Sequence, residues 1–227
     1  MPYLKHSRKA FRGGFALPEN CEVWCYGNNT EGGGEWTDQS GNGNHGSLIG
    51  NASVSSGYLT LDGSGDYASF GSIGAADDRT FTYCAWIRTT DTSVGHQVIA
   101  EGNSSSNSLY SFMEQAADYI KSGNYDGTNS TFLTGSTTDI NDGNWHHLAI
   151  SCDASTISMY TDNNTPETAS LGSVGSSTLN TAAAGALIRT SVVNYFNGDI
   201  DDVMIYSGEL SAAQISDIYN NSPGSRA

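Results

Sequence analysis

The chain of 227 residues contains 24 acidic and 9 basic residues, which give a formal net charge of −15 at pH 7, and 27 of its residues are glycine. So acidic a chain does not bind nucleic acid by neutralising phosphates. No segment approaches the ~20 consecutive apolar residues of a membrane-spanning helix, and residues 1–14 lack the apolar region of a secretory signal.

The first predicted segment is a basic arm over residues 1–18. Every acidic residue lies at or after Glu19. Four of the basic residues, in contrast, fall within the first dozen positions: Lys5, Arg8, Lys9 and Arg12. Such a cluster is suited to docking on an acidic protein surface. We therefore predict that these four side chains contact another protein subunit of an assembly.

The body, residues 19–222, is predicted to be one all-β domain, and a tail follows over 223–227. Short runs rich in Val, Ile, Tyr, Phe and Trp alternate with clusters of Ser, Thr, Asn and Gly, which is typical of strands joined by turns. The predicted strands are 22–26, 45–49, 58–62, 66–70, 80–88, 96–101, 108–113, 129–134, 145–152, 156–161, 185–190 and 196–206.

One short helix is predicted near the end of the body, in "LSAAQISDIYN". Ser211 stands at the N-cap position and Gln214 three residues later, which is the capping-box arrangement that satisfies two backbone amides. An apolar stripe at helical spacing follows. Its members are Leu210, Ile215, Ile218 and Tyr219.

The stretch "WTDQSGNGNHGSLIG" (36–50) has the G-x-G-x-x-G spacing of a dinucleotide-binding loop, at Gly41, Gly43 and Gly46. Such a loop needs a strand before it and a helix after it, and the flanking sequence predicts neither. From Asp38 the side-chain oxygens also follow EF-hand spacing, but Ile49 stands where the bidentate glutamate is required. Two interpretations remain open: a glycine turn in which Asp and Asn side chains bind backbone amides, and an oxygen-ligated cation site.

The chain resembles a known family in six motifs that occur in the family's order. They are "DQSGNGNHGSLIG", "LTLDGSGDYASF", "FTYCAWIR", "DGNWHHLAIS", "ISMYTDNN" and "FNGDIDDVMIYSGELSAAQISDIYN". This order is similar to that of the LamG-like jellyroll domain of the concanavalin A-like lectin/glucanase superfamily, from about Val23 to Asn220. The resemblance implies a jellyroll β-sandwich of two antiparallel sheets, with Trp86 and Trp145 facing the core.

The resemblance also implies a calcium site, because family members with calcium often draw ligands from similar acidic loops. We predict Asp38, Asp66 and Asp201 as the ligands of a Ca²⁺ ion. The alternative is that these carboxylates cap turns and line a polar outer face. The family's aromatic-Asp-Glu-Gly stretch before the first glycine turn is absent, since "WCYGNNTEGGGEW" stands in its place.

No catalytic residues are predicted. A glycosidase places two carboxylates roughly 5 or 6.5–9.5 Å apart across the sugar, and the sequence lacks the E-x-D-x-x-E or E-x-D-x-E run of the superfamily's glucanases. His146 and His147 are adjacent on a predicted strand, so their imidazoles point to opposite faces and do not share a metal ion. We expect both histidines to be structural and the protein not to be an enzyme.

Four aromatic residues are candidates for stacking against sugar rings, because they stand next to glycine or asparagine and outside the clearest core runs. These ligand-binding candidates are Trp36, Tyr125, Tyr195 and Phe196. The alternative for each is that the ring packs against the domain and does not bind a ligand. The cysteines predict no disulfide framework: Cys21 and Cys25 lie ~13 Å apart on a strand, and Cys84 and Cys152 fit as small core residues.

Two functions compete. In the first, the chain is a non-enzymatic, lectin-like structural or recognition domain on the surface of a larger particle, such as a capsid or tail decoration protein of a bacteriophage virion. It would be made in the host cytoplasm, anchored by the basic arm, and present as an oligomer or lattice component. In the second, it is a carbohydrate-binding module of a secreted enzyme or adhesin, and its partners are cell-surface glycans.

Overall fold

The computed structural model describes residues 16–31, 34–136 and 139–222. The strands of the first half are β1 (Cys21–Glu31), β2 (Glu35–Asp38), β3 (Gly46–Ile49), β4 (Ser53–Val54), β5 (Leu59–Asp62), β6 (Tyr67–Gly71), β7 (Thr80–Arg88), β8 (Val94–Asn103) and β9 (Ser106–Ala116). The elements of the second half are β10 (Tyr119–Asp126), β11 (Ser130–Thr134), β12 (His146–Asp153), β13 (Thr156–Thr161), β14 (Glu167–Ser170), β15 (Thr181–Ala184), β16 (Leu187–Ile188), β17 (Val192–Val193), β18 (Asn197–Tyr206) and the helix α1 (Ala212–Asn221).

The strands follow one antiparallel path that folds into the two layers of a β-sandwich. Layer A has the order β11-β10-β9-β8-β15-β6-β3, and layer B has the order β1-β18-β7-β12-β13-β14. Strand β2 joins the layers because it pairs with both β1 and β3. A separate hairpin, β16–β17, packs on layer A. The predicted all-β sandwich with one short helix is confirmed.

The main core lies between the two layers. Met113 of layer A and Ile150 of layer B are both inaccessible there. Side chains alternate along a strand, so their neighbours Phe112 and Ala149 point outward and belong to two separate apolar clusters. Each layer therefore has an outer face with apolar residues of its own.

Helix α1 covers the outer face of layer B. The Ser211 hydroxyl accepts a hydrogen bond from the Gln214 amide, and the Gln214 side chain accepts one from the Ser211 amide at 2.9 Å. The predicted capping box is thus confirmed. Ile215 and Ile218 are 0% and 1% exposed and pack in one cluster with Tyr206. The helix therefore covers the apolar residues of this face. Within the described ranges no helix is long and apolar enough to cross a bilayer.

Only the last residues of the predicted basic arm belong to the described part of the chain. Leu17 is buried and packs in the cluster on the outer face of layer B. The predicted docking residues lie outside the described residues, as does the tail 223–227. They are Lys5, Arg8, Lys9 and Arg12.

Most predicted strands are confirmed to within a few residues, but β2, β4, β10, β14, β15 and β17 were not predicted. Strand β10, "YIKSGNYD", has few apolar residues for two reasons: Lys121 lies on the partly open outer face, and the buried Asn124 accepts a hydrogen bond from Arg79. In the predicted strand 185–190 only Leu187–Ile188 is extended. All four cysteines are free, and Cys84 and Cys152 are inaccessible core residues as predicted.

Neither of the two tryptophans expected to face the core lies in the main core between the layers, although Trp86 is buried. Trp86 is buried, but on the outer face of layer B, where its ring stacks 5.3 Å from that of Tyr219. Trp145 is half-buried, with its ring 5.4 Å from Tyr58 and 4.9 Å from the guanidinium carbon of Arg88. Strand alternation explains Trp86, because its neighbours on β7 fill the main core.

Candidate ligand-binding face

The outer face of layer A displays a group of aromatic rings on three neighbouring strands. Tyr110 and Phe112 lie on β9, Tyr125 on β10 and Phe132 on β11. The strand register brings them together: Tyr110 is opposite Tyr125, and Phe112 and Phe132 lie on either side of Gly123. We call these four rings the aromatic face.

The rings contact one another in a continuous row. Centroid distances are 5.5 Å between Tyr110 and Tyr125, 5.9 Å between Tyr110 and Phe112, and 6.2 Å between Phe112 and Phe132. Gly123 makes the last approach possible, because a Cβ there would lie 2.5 Å from the Phe132 ring and 2.6 Å from that of Phe112.

Exposure differs along the row. Phe132 is 47% exposed and Tyr110 and Tyr125 are half-buried, whereas Phe112 is 4% exposed. Three of the four rings therefore offer surface to a ligand, and the fourth fixes them to the sheet.

The hairpin β16–β17 forms a wall along one side of the aromatic face. Leu187 packs against Phe112, and Val193 joins the same cluster. A Cβ at Gly102 would collide with the backbone oxygen of Ile188, so only glycine lets the hairpin lie this close to β8. The wall is thus held by packing and by the absence of a side chain beneath it.

A cation on this wall lies above the row. The guanidinium carbon of Arg189 is 5.5 Å from the Tyr110 ring centroid, and Nη1 donates a hydrogen bond to the Asn107 carbonyl at 2.9 Å. Its Nε is buried and has no hydrogen-bond partner among the residues that the structure describes. Burial raises the pKa of Tyr110, and the charge of Arg189 opposes that rise.

A second cation lies at the other end of the row. Lys121 Nζ is 5.2 Å from the Phe132 ring centroid and 4.0 Å from Oε1 of Glu114. The other oxygen of Glu114 accepts a hydrogen bond from Gln97 Nε2 at 2.7 Å. Burial raises the pKa of this carboxyl, and the charge of Lys121 lowers it.

This arrangement is chemically suited to a ligand with both flat apolar and polar surfaces. Half-exposed rings stack against the apolar face of a sugar, while side chains at the edge bind hydroxyl or charged groups. The cations at either end add direction to such binding.

Of the four predicted ligand-binding residues, the structure places one on the aromatic face. That residue is Tyr125. Tyr195 is half-buried beside Tyr67, with ring centroids 6.3 Å apart. Trp36 and Phe196 are 0% exposed and belong to the main core, so their prediction as stacking platforms was wrong. Neighbouring glycines suggested loops, but both side chains point inward.

The sequence offered one signal for the rings that were missed. In "SNSLYSFMEQA" the outward positions Tyr110, Phe112 and Glu114 alternate with the core residues Leu109 and Met113. That alternation identifies an aromatic outer edge, but it does not say which rings of β10 and β11 lie opposite.

The structure does not gather the three predicted calcium ligands. Within the described ranges, no group of three or more His, Cys, Asp or Glu residues could hold a metal ion. Asp66 accepts the Asn51 amide at 2.6 Å, and Asp201 accepts the Gly27 amide at 3.0 Å. These carboxylates bind backbone amides in separate places, so they do not form the predicted site, and calcium binding itself stays a prediction.

Asp38 organises the glycine turn of the opening motif. Its carboxylate accepts hydrogen bonds from the amides of Trp24 at 2.9 Å, Ser40 at 2.8 Å and Asn44 at 3.0 Å. Gly41 follows with a φ of 98°, which favours glycine. The interpretation as a turn held by side-chain acceptors is confirmed.

The paired histidines lie on opposite faces, as predicted. His146 is held between two carboxylates, with Nδ1 at 2.6 Å from Asp162 and Nε2 at 3.1 Å from Asp142, and these partners raise its pKa to about 8. His147 is buried beside Trp86, with 5.3 Å between the ring centroids, and burial lowers its pKa to about 4.

The fold and this face define the class: a concanavalin A-like β-sandwich with one outer face covered by a helix and the other partly open. The sequence matches the model of the Laminin_G_3 family, of the concanavalin A-like lectin/glucanases superfamily, over residues 62–216. Since this match covers more than half of the chain, the protein belongs to that family. The resemblance drawn from the six motifs is confirmed.

Solved structures share the fold at low sequence identity. The binding domain of Paraclostridial Mosquitocidal Protein 1 is similar with a TM-score of 0.66 and 13% identity, over 89% of this chain and 52% of that one. The receptor binding domain of botulinum neurotoxin C/D mosaic serotype gives 0.67 and 16%, over 89% and 51%. This chain spans about half the length of these toxin domains.

A third similar structure is the CBM40 of the Ruminococcus gnavus IT-sialidase bound to α2,3-sialyllactose. Its TM-score is 0.60 with 12% identity, over 71% of this chain and 95% of that one. No curated protein sequence matches the chain significantly. At identities this low, the TM-scores establish a shared fold.

Proposed function

We propose that this protein is a non-catalytic, lectin-like recognition domain that binds a glycan on its aromatic face. The observation that carries the proposal is the row of three accessible rings, Tyr110, Tyr125 and Phe132, bordered by a cation at each end. Membership in a lectin/glucanase superfamily and the glycan-bound CBM40 relative support it.

The chemistry of the face favours binding over hydrolysis. The carboxylate that borders this face in the described part of the chain, on Glu114, is buried, bound by Gln97 and close to Lys121. Glycoside hydrolysis uses two carboxylates across the bond that breaks. A face with one committed carboxylate and several rings is suited to holding a sugar.

The test is a glycan array with the purified protein, followed by titration calorimetry on the glycans that bind. Tyr125→Ala and Phe132→Ala should each weaken binding by about tenfold, since stacking on a ring contributes about 0.5–1.5 kcal/mol beyond its buried area. Val94→Ala is the matched control, because Val94 is 69% exposed and lies on β8 away from the four rings.

Two outcomes would count against the proposal. Unchanged affinity in both ring variants would place the binding site elsewhere on the molecule. An array that contains neutral and acidic glycans and shows no binding to any of them would remove the glycan-binding function.

A finer proposal concerns where the domain acts. We propose that it is carried on the surface of a larger particle, such as a bacteriophage virion, by its basic arm. The supporting observation is that four of nine basic residues fall in the first dozen positions of a chain with a net charge of −15. The competing assignment is a carbohydrate-binding module of a secreted enzyme or adhesin.

Sedimentation separates these two assignments. Protein from its natural source should co-sediment with a megadalton particle at fixed stoichiometry, and deletion of residues 1–18 should abolish that co-sedimentation. A free chain of about 24 kDa, or a truncated protein that still assembles, would contradict the particle assignment while leaving glycan binding intact.

A further inference from the structure

The described part of this acidic protein has few basic side chains, and half of them are engaged within the fold. Of four Lys and Arg residues, Arg79 is 1% exposed and hydrogen-bonds to oxygens of the protein. Arg88 donates from Nε at 3.0 Å and from Nη2 at 2.7 Å to Asp199. The two that remain, Lys121 and Arg189, both border the aromatic face.

Arg189 carries a charge that no carboxylate compensates. Within the described ranges its guanidinium takes part in no ion pair. One nitrogen donates to the neutral Asn107 carbonyl, and the buried Nε has no partner among the same residues. A buried donor without a partner is costly, because it has lost its water without gaining an acceptor. The guanidinium as a whole thus lacks an anionic partner within the described ranges, and an anion bound from outside the chain would supply one.

Lys121 differs, because Glu114 lies 4.0 Å from its ammonium group. It also lies at the far end of the row: Lys121 and Tyr125 are four residues apart on one strand, which separates them by about 13 Å. Arg189 lies at the Tyr110 end. The two ends are therefore unequal, and the uncompensated charge is at one of them.

Building on the proposed glycan-binding function, we propose that the ligand is an oligosaccharide that carries one acidic group, and that Arg189 binds this group. The planar guanidinium matches a carboxylate or a sulfate ester with two parallel hydrogen bonds. The neutral rings of the ligand extend from Tyr110 along the aromatic face toward Phe132.

The charge of the whole protein limits the ligand to few acidic groups. A net charge of −15 repels polyanions at long range. One acidic group next to Arg189 gains a local partner, whereas a polysulfated chain would place further negative charges against an acidic surface. The face is therefore selective for a singly charged glycan over a heparin-like polymer.

The experiment compares matched ligands by titration calorimetry: lactose, α2,3-sialyllactose, 3′-sulfolactose and a heparin oligosaccharide. Wild-type protein should bind either α2,3-sialyllactose or 3′-sulfolactose, each of which carries one acidic group, about tenfold or more tightly than lactose. This difference is expected for hydrogen bonds to a charged group. Which of the two binds more tightly identifies carboxylate or sulfate. Arg189→Gln should reduce the ratio of acidic to neutral affinity to about one.

A salt series on the wild-type protein keeps the proposal testable if Arg189→Gln does not fold. Raising NaCl should weaken binding of the acidic probe and leave lactose binding unchanged, because screening acts on charge pairs. Equal affinity for lactose and both acidic probes would overturn this inference and leave glycan binding standing. Tighter binding of heparin would also overturn it. If the protein bound none of these probes and no glycan on the array, the proposed glycan-binding function itself would be contradicted.

Discussion

The two outer faces of the sandwich carry similar residues in opposite surroundings. On layer B, Trp24 and Tyr206 are 1% and 0% exposed beneath helix α1. On layer A, the hairpin β16–β17 covers only part of the sheet, and Phe132 remains 47% exposed. One face is closed by a capped helix, and the other is left partly open beside a cation.

This difference separates residues that stabilise the fold from residues that are free to bind. Full burial of a large apolar side chain contributes about 1.5–3 kcal/mol, and the rings under α1 have already gained it. The partly solvent-exposed rings of the aromatic face gain that free energy only when a ligand buries them. Exposure, rather than residue type, therefore distinguishes the two faces.

Truncation of one residue on each face tests whether exposure separates stabilising from binding residues. Ile215→Ala, under the helix, should lower the free energy of unfolding by about 2–5 kcal/mol, because it leaves a cavity in a closed cluster. Phe132→Ala, on the open face, should cost under about 1 kcal/mol. Urea unfolding followed by circular dichroism measures both values. Equal losses in the two variants would mean that the Phe132 ring belongs to the stabilising core.

The covered face should also make stability depend on pH through His147. Its ring is buried beside Trp86 and Tyr219, and burial lowers its pKa from the ordinary 6.5 to about 4. Between these two pH values His147 is therefore protonated in the unfolded chain and neutral in the folded chain. The contribution of neutral His147 to the free energy of unfolding is fully present above pH 6.5. It decreases by on the order of 3 kcal/mol as the pH falls to about 4.

His147→Phe removes this titration while retaining an aromatic ring. The difference in unfolding free energy between wild type and variant should shift in favour of the variant as pH falls from 6.5 to 5, a window that precedes most carboxylate titration. His146 serves as the contrast: its pKa is raised to about 8, so its contribution is complete below pH 6.5 and is lost as pH rises through 8. A difference that stays constant with pH would show that His147 does not titrate as expected.

Local signals were sufficient to predict the helix that covers the closed face, but they did not predict the open face. The capping box of Ser211 and Gln214 and the stripe through Ile215 lie within one short segment, and their meaning does not depend on distant residues. The six motifs likewise identified the sandwich, because their order along the chain is itself the signal.

The aromatic face depends on register between strands, which sequence reasoning did not supply. Phe112 and Phe132 become neighbours only because Gly123 of β10 lies between them, and β10 was not predicted. Arg189 reaches the row through a hairpin that packs where Gly102 has no side chain. Trp36 shows the opposite error, since its glycine-rich surroundings predicted a loop while the strand turns it into the core.

The smallest expected effect tests whether the helix cap itself keeps the covered face closed. Ser211→Ala removes the hydroxyl that accepts the Gln214 amide, and loss of such a cap costs about 1 kcal/mol. Ser211→Gly is the matched control, since glycine at this position costs only about a few tenths of a kcal/mol. Urea unfolding measures both, and glycan affinity should be unchanged because the helix and the aromatic face lie on opposite layers. A loss of several kcal/mol would mean that the cap determines whether the helix forms at all, so closure of this face would depend on helix initiation more than on burial of Ile215 and Ile218.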